Sequence, residues 1–419
     1  MEMRMFGLSE DQIAVWRMCR DFVDEVVIPF VRENREREWL ASPDERWPKE
    51  LLQAADKLGL RALGVPEKYG GMELDALTLA LVVEELARGD PGFAVTLAQN
   101  WKVSALLGGC APQHMQELWF ARYLEDPSFL MAHALTEPRG ASDRWLPYNV
   151  PEANMHTRAT FRDGCWVLNG RKQFISNGYL ARLYIVYANT NPDAGVRDGT
   201  SSFLVPRDTP GFTVERANEK IGQNFVINAE LVFEECRLPE DHLLVKDIAL
   251  KKAGAYFRAG KILNAARALG VGRAAFEDTV AYVQEHVQGG RPLIQHQVVA
   301  ARLADMATRL ETVRVFTYHA ARALDGGSSD STQLGLMAKL YAAETVFDIC
   351  RHAMELHGGS GAMREMGVEK HLRDASIFLH ADGTSDIHRF KIVKTMFPDA
   401  AGAYAGPEPE IALFDRSRR

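Results

Sequence analysis

The period of the hydrophobic pattern changes twice along this chain, and that succession constrains the fold more than any single motif. From Ser9, a good N-cap, apolar residues recur at helical spacing through Ile13, Val15, Trp16, Phe22, Val23, Val26 and Val27. Pro29 kinks or ends that helix, or lets it bend and continue to about Trp39. Further helices fit residues 48–58, a stretch starting at Asp75 with Leu79, Val82, Val83 and Leu86, and stretches opened by Pro91 and Pro112. Near Asp126-Pro127 the pattern becomes strand-like. Residues 129–135, 183–188, 202–205, 212–216 and 229–234 read as strands, and 166–175 as a hairpin turning at Asn169-Gly170. After Asp241 the helical period returns. Leu303, Met306, Leu310, Val313, Phe316, Ala320 and Leu324 mark one face of a long helix that begins near Gln297, and 331–356 is a second. The chain is thus an α+β multidomain protein: a helical domain over 1–126, a compact β domain over 127–245, a bundle of long antiparallel helices over 246–400, and a fraying tail over 401–419.

Composition narrows the function classes. The net charge of −7, from 49 basic and 56 acidic residues, argues against bulk attraction to nucleic acid or to an acidic membrane. Any anionic ligand must be held by local basic groups or helix ends. Five cysteines are scattered without a CxxC pair, which reads as free thiols in a reducing, cytoplasmic setting. The N-terminus lacks the apolar core of a signal peptide, and no apolar run approaches about 18 residues, so no membrane span is expected. No GxGxxG follows a strand, which argues against a nicotinamide site. His352, His357, His371, His380 and His388 do not stack on one helix face and no HExxH occurs, so no metal site is expected.

Four short segments carry potential chemistry. Thr136-Glu137-Pro138-Arg139-Gly140-Ala141-Ser142-Asp143 follows the first strand, where hydroxyls and open amides suit a planar heterocycle and a phosphate. By itself it is a polar loop. Phe174-Ile175-Ser176-Asn177-Gly178 offers an aromatic and a hydroxyl to flank a ring system, or is an ordinary strand and turn. Gly358-Gly359 lets amides approach a phosphate, or is a helix C-cap. Asp382, in His380-Ala381-Asp382-Gly383-Thr384-Ser385-Asp386, is a carboxylate at a helix start: a base, a cap or a surface acid.

Together and in this order, with Pro66 to Gly71, Glu84-Glu85-Leu86, 231–239, 268–276, 289–297 and 373–387, these segments resemble the acyl-CoA dehydrogenase superfamily of flavoproteins over nearly the whole chain. The resemblance implies a helical domain, a β-barrel-like domain and a four-helix-bundle-like domain, with FAD between the last two and a homotetramer or homodimer completing each site. It implies that Thr136 and Ser142 contact flavin and pyrophosphate, that Phe174 and Ser176 flank the isoalloxazine, and that Thr384 and Asp386 lie at the phosphates. Gln297, Gly358 and Gly359 would reach the adenosine half of a neighbour's FAD. The substrate would be an acyl-CoA, and an electron-transfer flavoprotein the redox partner. Arg139, His286, Gly289 and Glu355 depart from the usual pattern.

Asp382 stands where most members carry a glutamate base, and Gly260 stands where a minority carry theirs. Asp382 would then take the α-proton while the β-carbon gives hydride to flavin. A second resemblance, to nitroalkane oxidase, rests on an aspartate base with an arginine seven residues on, here Arg389, and on Trp145 with the insertion 146–157 at the mouth of the substrate channel. A flavin monooxygenase is a third reading, although such members usually lack an aligned base.

Overall fold

The computed structural model of the protein describes residues 7–146 and 149–397. Ser9 opens α1 (Glu10–Phe22) with a capping box completed by Gln12. A π-helical turn at Val23–Val27 then leads into Ile28–Glu33. Pro29 therefore falls in the first turn of the resumed helix, where a proline is tolerated. After α2 (Lys49–Lys57) come α3 (Ala76–Gly89), capped by Asp75, then α4 (Pro91–Cys110), capped by Asp90, and α5 (Gln113–Glu125).

The strands are β1 (Met131–Ala134), β2 (Arg158–Arg162), β3 (Cys165–Ile175), β4 (Leu183–Asn189), β5 (Thr200–Pro206), β6 (Phe212–Ala217), β7 (Ala229–Pro239) and β8 (Leu243–Val245). They form one sheet in the order β6-β7-β3-β2-β4-β5-β8, and β1 lies parallel to β4 with Met131 opposite Leu183. The expected hairpin at Asn169-Gly170 is not there. β3 runs unbroken through both residues, and the reversal falls earlier, at Asp163-Gly164, where both residues have positive φ (53° and 74°). Asn169-Gly170 is instead a bulge against β7: Asn169 bonds the backbone and carboxylate of Glu235, and a Cβ on Gly170 would lie 2.5 Å from Thr157 Cα.

The C-terminal helices are α6 (Ala249–Glu285), α7 (Gln297–Asp325), α8 (Ser331–Leu356), α9 (Val368–Phe378) and α10 (Ser385–Met396). The predicted face of α7 is the buried one: Leu303, Met306, Leu310, Val313 and Ala320 join a core running from α1, α3 and α4 through the sheet to α6–α9. The expected tail over 401–419 lies outside the described residues. Among the described residues, no helix is long and apolar enough to cross a membrane.

Two buried ionic hubs lock the first helices onto the last. Arg273 of α6 donates to Glu84 (2.8 Å) and Glu85 (2.7 Å) of α3, and Tyr318 of α7 donates to Glu84 at 2.6 Å. Lys370 of α9 meets Glu38, Asp90 and Asp374 at 2.7, 2.9 and 2.7 Å. Such hubs are unforgiving, because removing one partner strands the others as buried charges. They hold α4 and α6 in place as two walls of the cavity described next.

Candidate active site

A cavity of about 1520 Å³ lies between the loops of the β domain, helices α4 and α6, and residues 377–384. That exceeds the roughly 300–1,000 Å³ of a single small-molecule pocket. It is large enough for the reacting halves of two ligands.

The β-domain side carries the residues expected to hold a flavin. Thr136, leaving β1, lines the cavity together with Ser142, Phe174 and Ser176. Phe174 is 57% exposed and holds φ at +58°, an outlier for a bulky side chain, while Asn228 Nδ2 donates to its carbonyl at 2.9 Å. An apolar ring kept in a strained conformation and left uncovered at a cavity is the kind of local cost that persists at ligand sites. The loop before it is fixed by Glu137, whose carboxylate accepts from the amides of His156 (2.7 Å) and Thr157 (2.9 Å) and from Lys172 Nζ (2.8 Å). Burial works against the Glu137 carboxylate, yet Lys172 and these donors hold it below the usual range. Thr384 also lines the cavity and is the N-cap of α10. An exposed ring, hydroxyls and a helix N-terminus lining one cavity suit a flavin and its phosphates.

The other expected cofactor residues lie elsewhere. Asp386 sits in the first turn of α10 with its side chain 94% exposed and paired with Arg389. Gln297 starts α7, and Gly358 and Gly359 follow the end of α8, outside this chain's cavity. His286 and His357 sandwich the Tyr282 ring, with centroids 4.9 and 4.1 Å away.

Asp382 lines the same cavity beside α6. Its backbone is left-handed (φ 58°), its carbonyl accepts from Lys261 Nζ at 2.7 Å, and the carbonyl of Gly383 accepts from Lys339 Nζ at 2.9 Å. Its Oδ2 accepts from Asn264 Nδ2 at 3.1 Å and lies 3.7 Å from the Arg267 guanidinium. Burial among protein atoms would push this carboxyl up, but Lys261, Lys102 and Arg267, helped by Asn264, hold it well below the usual carboxylate range. The carboxylate is therefore ionised, with 37% of its side chain open to the cavity. Gly260 also lines the cavity, and a Cβ built there would meet nothing within 4 Å, so the position is open and carries no acid.

The remaining acids on the cavity wall are otherwise engaged. Asp75 caps α3, Asp325 accepts from the amides of Ala76 and Leu77, Glu219 pairs with Arg46, and Glu73 lies exposed. Arg389 does not join Asp382. It is half exposed and donates to Glu344 of α8 at 2.7 and 2.8 Å and to Asp386 at 3.2 Å. The spacing of seven does not act as two helical turns here, because α10 begins only at Ser385 and Asp382 precedes it in a left-handed conformation.

Lys102, Arg144, Asn264 and Arg267 reach the cavity without having been singled out from the sequence. The signal was present: Lys261, Asn264 and Arg267 recur every three residues in an otherwise apolar stretch of α6, a polar stripe on one helical face. The described residues of the insertion 146–157 pack away from the cavity. Asn149 donates to Asp198, Asn154 to the carbonyl of Ala194, and Leu146 accepts from Lys394, while none of its described residues lines the cavity. Residues 147 and 148 lie outside the described residues.

Sequence and structure comparisons agree with this geometry. Family models for the acyl-CoA dehydrogenase N-terminal, middle and C-terminal domains match residues 9–125, 132–236 and 251–397. An acyl-CoA dehydrogenase of Bacillus subtilis is 35% identical over 395 residues, 92% of this chain and 98% of its own length. Butyryl-CoA dehydrogenase from Megasphaera elsdenii superposes with a TM-score of 0.84 at 30% identity, over 93% of this chain and 99% of that one. A glutaryl-CoA dehydrogenase from Mycobacterium smegmatis, solved in complex with FADH2, gives 0.82 at 28% identity over 94% and 96%.

Proposed function

The chain belongs to the acyl-CoA dehydrogenase family of FAD-dependent oxidoreductases acting on CH–CH donors, and from that premise we infer that it desaturates an acyl-CoA thioester with Asp382 as the α-proton base. The observation that carries the reading is an ionised carboxylate lining the same cavity as Thr136, Ser142, Phe174 and Ser176, with no competing acid at Gly260.

Thr136, Ser142, Phe174, Ser176 and Thr384 hold the flavin in this reading. Bound FAD supplies the two-electron acceptor for the hydride leaving the β-carbon. Asp382 accepts the α-proton on a carboxylate oxygen, and the electron pair of the broken Cα–H bond becomes the new C=C bond. A general base must be deprotonated and within reach of its proton, and the cations around Asp382 secure the first condition. Asn264 and Arg267 grip the carboxylate from α6 and fix its direction. Closure of the cavity around both ligands excludes water from the base. An aspartate reaches less far than the usual glutamate, and a misplacement near 1 Å costs about a hundredfold. The substrate must therefore approach the α6 wall closely. An electron-transfer flavoprotein takes up the electrons, and a homotetramer or homodimer brings Gln297, Gly358 and Gly359 to a neighbour's FAD.

The test is flavin reduction by a panel of acyl-CoAs with Asp382→Asn beside the parent. Loss of reduction with FAD retained supports the assignment, and unchanged reduction removes it. The nitroalkane reading loses its distinguishing contact, because Arg389 is engaged by Glu344 and Asp386. Oxygen uptake with a nitroalkane but with no acyl-CoA would restore it.

A further inference from the structure

The wall around Asp382 carries more positive charge than one carboxylate balances. Lys102 from α4, Arg144 from the turn Ser142–Trp145, and Lys261 and Arg267 from α6 all line the cavity there, four cations against one acid. Only part of this charge is used within the protein. Lys261 is satisfied by the Asp382 carbonyl, and Arg267 touches its carboxylate at 3.7 Å. Arg144 has Nε and Nη1 buried without a hydrogen-bond partner, and so has Arg267 at Nε. The Arg144 guanidinium rests between two rings, 4.9 Å from the centroid of Trp145 and 5.5 Å from that of Phe257, rather than against an acid. Lys102 has no ion pair among the described residues. Burial pulls the Lys261 ammonium down to about 8 and the Arg144 guanidinium to about 10, the response of cations short of anions. Cations with too few acids and with buried N–H groups left unbonded are costly unless a ligand pairs them.

Their position selects the ligand. Thr136, Phe174 and Ser176 come from the β domain, whereas Lys102 and Arg267 belong to α4 and α6 and act on the Asp382 carboxylate, whose charge Arg144 also feels. A purely hydrocarbon acyl chain would leave these groups dry and unpaired. We propose that the acyl group of the substrate ends in a carboxylate, which Lys102, Arg144 and Arg267 bind. The proposal rests on the thioester reading above and names the class of acyl group. The chain between thioester and carboxylate is short, because Arg267 lies 3.7 Å from the oxygen that would take the α-proton. A second carboxylate also shares the cations that now hold Asp382 ionised, which weakens their grip and makes Asp382 a stronger base once substrate is in place.

The experiment uses FAD-loaded full-length protein and measures anaerobic flavin reduction by succinyl-CoA and glutaryl-CoA against butyryl-CoA and pentanoyl-CoA. The carboxylated thioesters are expected to half-saturate reduction at concentrations about tenfold or more lower, as for a charge-assisted contact. Arg144→Gln should erase most of that advantage while leaving half-saturation by pentanoyl-CoA within about threefold and the FAD content unchanged. Equal preference for charged and uncharged thioesters, with flavin reduced by both, overturns the proposal and leaves the dehydrogenase reading standing. Reduction by neither series overturns that reading itself. Loss of FAD from the Arg144 variant would assign the cations to the cofactor and also overturn the proposal.

Discussion

Lys172→Met tests how the flavin loop is held. The Lys172 side chain is fully buried and its ammonium lies 2.8 Å from Glu137, itself only 4% exposed. Methionine nearly matches the lysine stem, so packing is kept and the charge is lost. Glu137 is then a buried carboxylate with two amide donors, His156 and Thr157, and no cation. Breaking a buried pair this way costs about 3–5 kcal/mol, with the surviving amide bonds favouring the lower end. Glu137→Gln in the same chain should recover part of it. The amide group meets two N–H donors, so one of them stays unpaired at about 1–3 kcal/mol. The double variant should therefore be more stable than the single. The assay is urea unfolding of the FAD-free protein followed by near-UV circular dichroism, with FAD retention measured in parallel. A single variant within about 1 kcal/mol of the parent, or a double variant no better than the single, would refute the claim that the pair is ionised and essential.

Phe174→Gly should relieve a left-handed backbone and raise the stability of the FAD-free protein by about 1 kcal/mol while weakening FAD retention. A drop in stability with FAD held normally would contradict the strained, ring-facing role of Phe174. Arg389→Ala should change the rate of flavin reduction by less than about threefold, since its partners are surface acids; a loss of a hundredfold would return Arg389 to the site. Lys391 supplies a pH test. Burial and neighbouring Lys261 and Arg144 push its ammonium down to about 5, and its Nζ is buried without a hydrogen-bond partner, 3.6 Å from the Trp145 ring centroid. A lysine depressed in the folded state binds more protons when unfolded, so Lys391 should make the FAD-free protein gain stability as pH rises above about 5 toward the unfolded value near 10.4, this one group adding at most about 1.4 kcal/mol per pH unit. Lys391→Met should flatten that slope in urea midpoints taken between about pH 6 and pH 8, and parallel slopes would count against a lysine buried without a hydrogen-bond partner.

The sequence carried the succession of helices, strands and helices because each period reports a buried face directly, as the α7 stripe from Leu303 to Ala320 shows. It misplaced the turn in β3 because Asn-Gly is a good hairpin signal and also a good bulge. Only the contact of Gly170 with Thr157 and the competing Asp163-Gly164 turn decide between them. Thr136, Ser142, Phe174, Ser176 and Thr384 were legible as motifs and converge on one cavity. The cationic wall was not legible: Lys102, Arg144 and Arg267 lie on separate elements, and only the tertiary arrangement of α4, α6 and the 142–145 turn brings them to Asp382. Arg389 shows the converse error, in which helical spacing was carried through a segment that is not helical.

Asp382 is central to the account, and the most direct test follows the α-proton rather than the flavin. FAD-loaded parent and Asp382→Asn are mixed anaerobically with an acyl-CoA deuterated at the α-carbon, and both flavin reduction and isotope release to solvent are timed. The account predicts that the parent reduces its flavin with a primary isotope effect, and that Asp382→Asn keeps FAD but loses about a hundredfold or more in rate, in the range a general base supplies. An Asp382→Asn variant that reduces its flavin at the parental rate, with the same isotope effect, would place the base elsewhere and contradict the account.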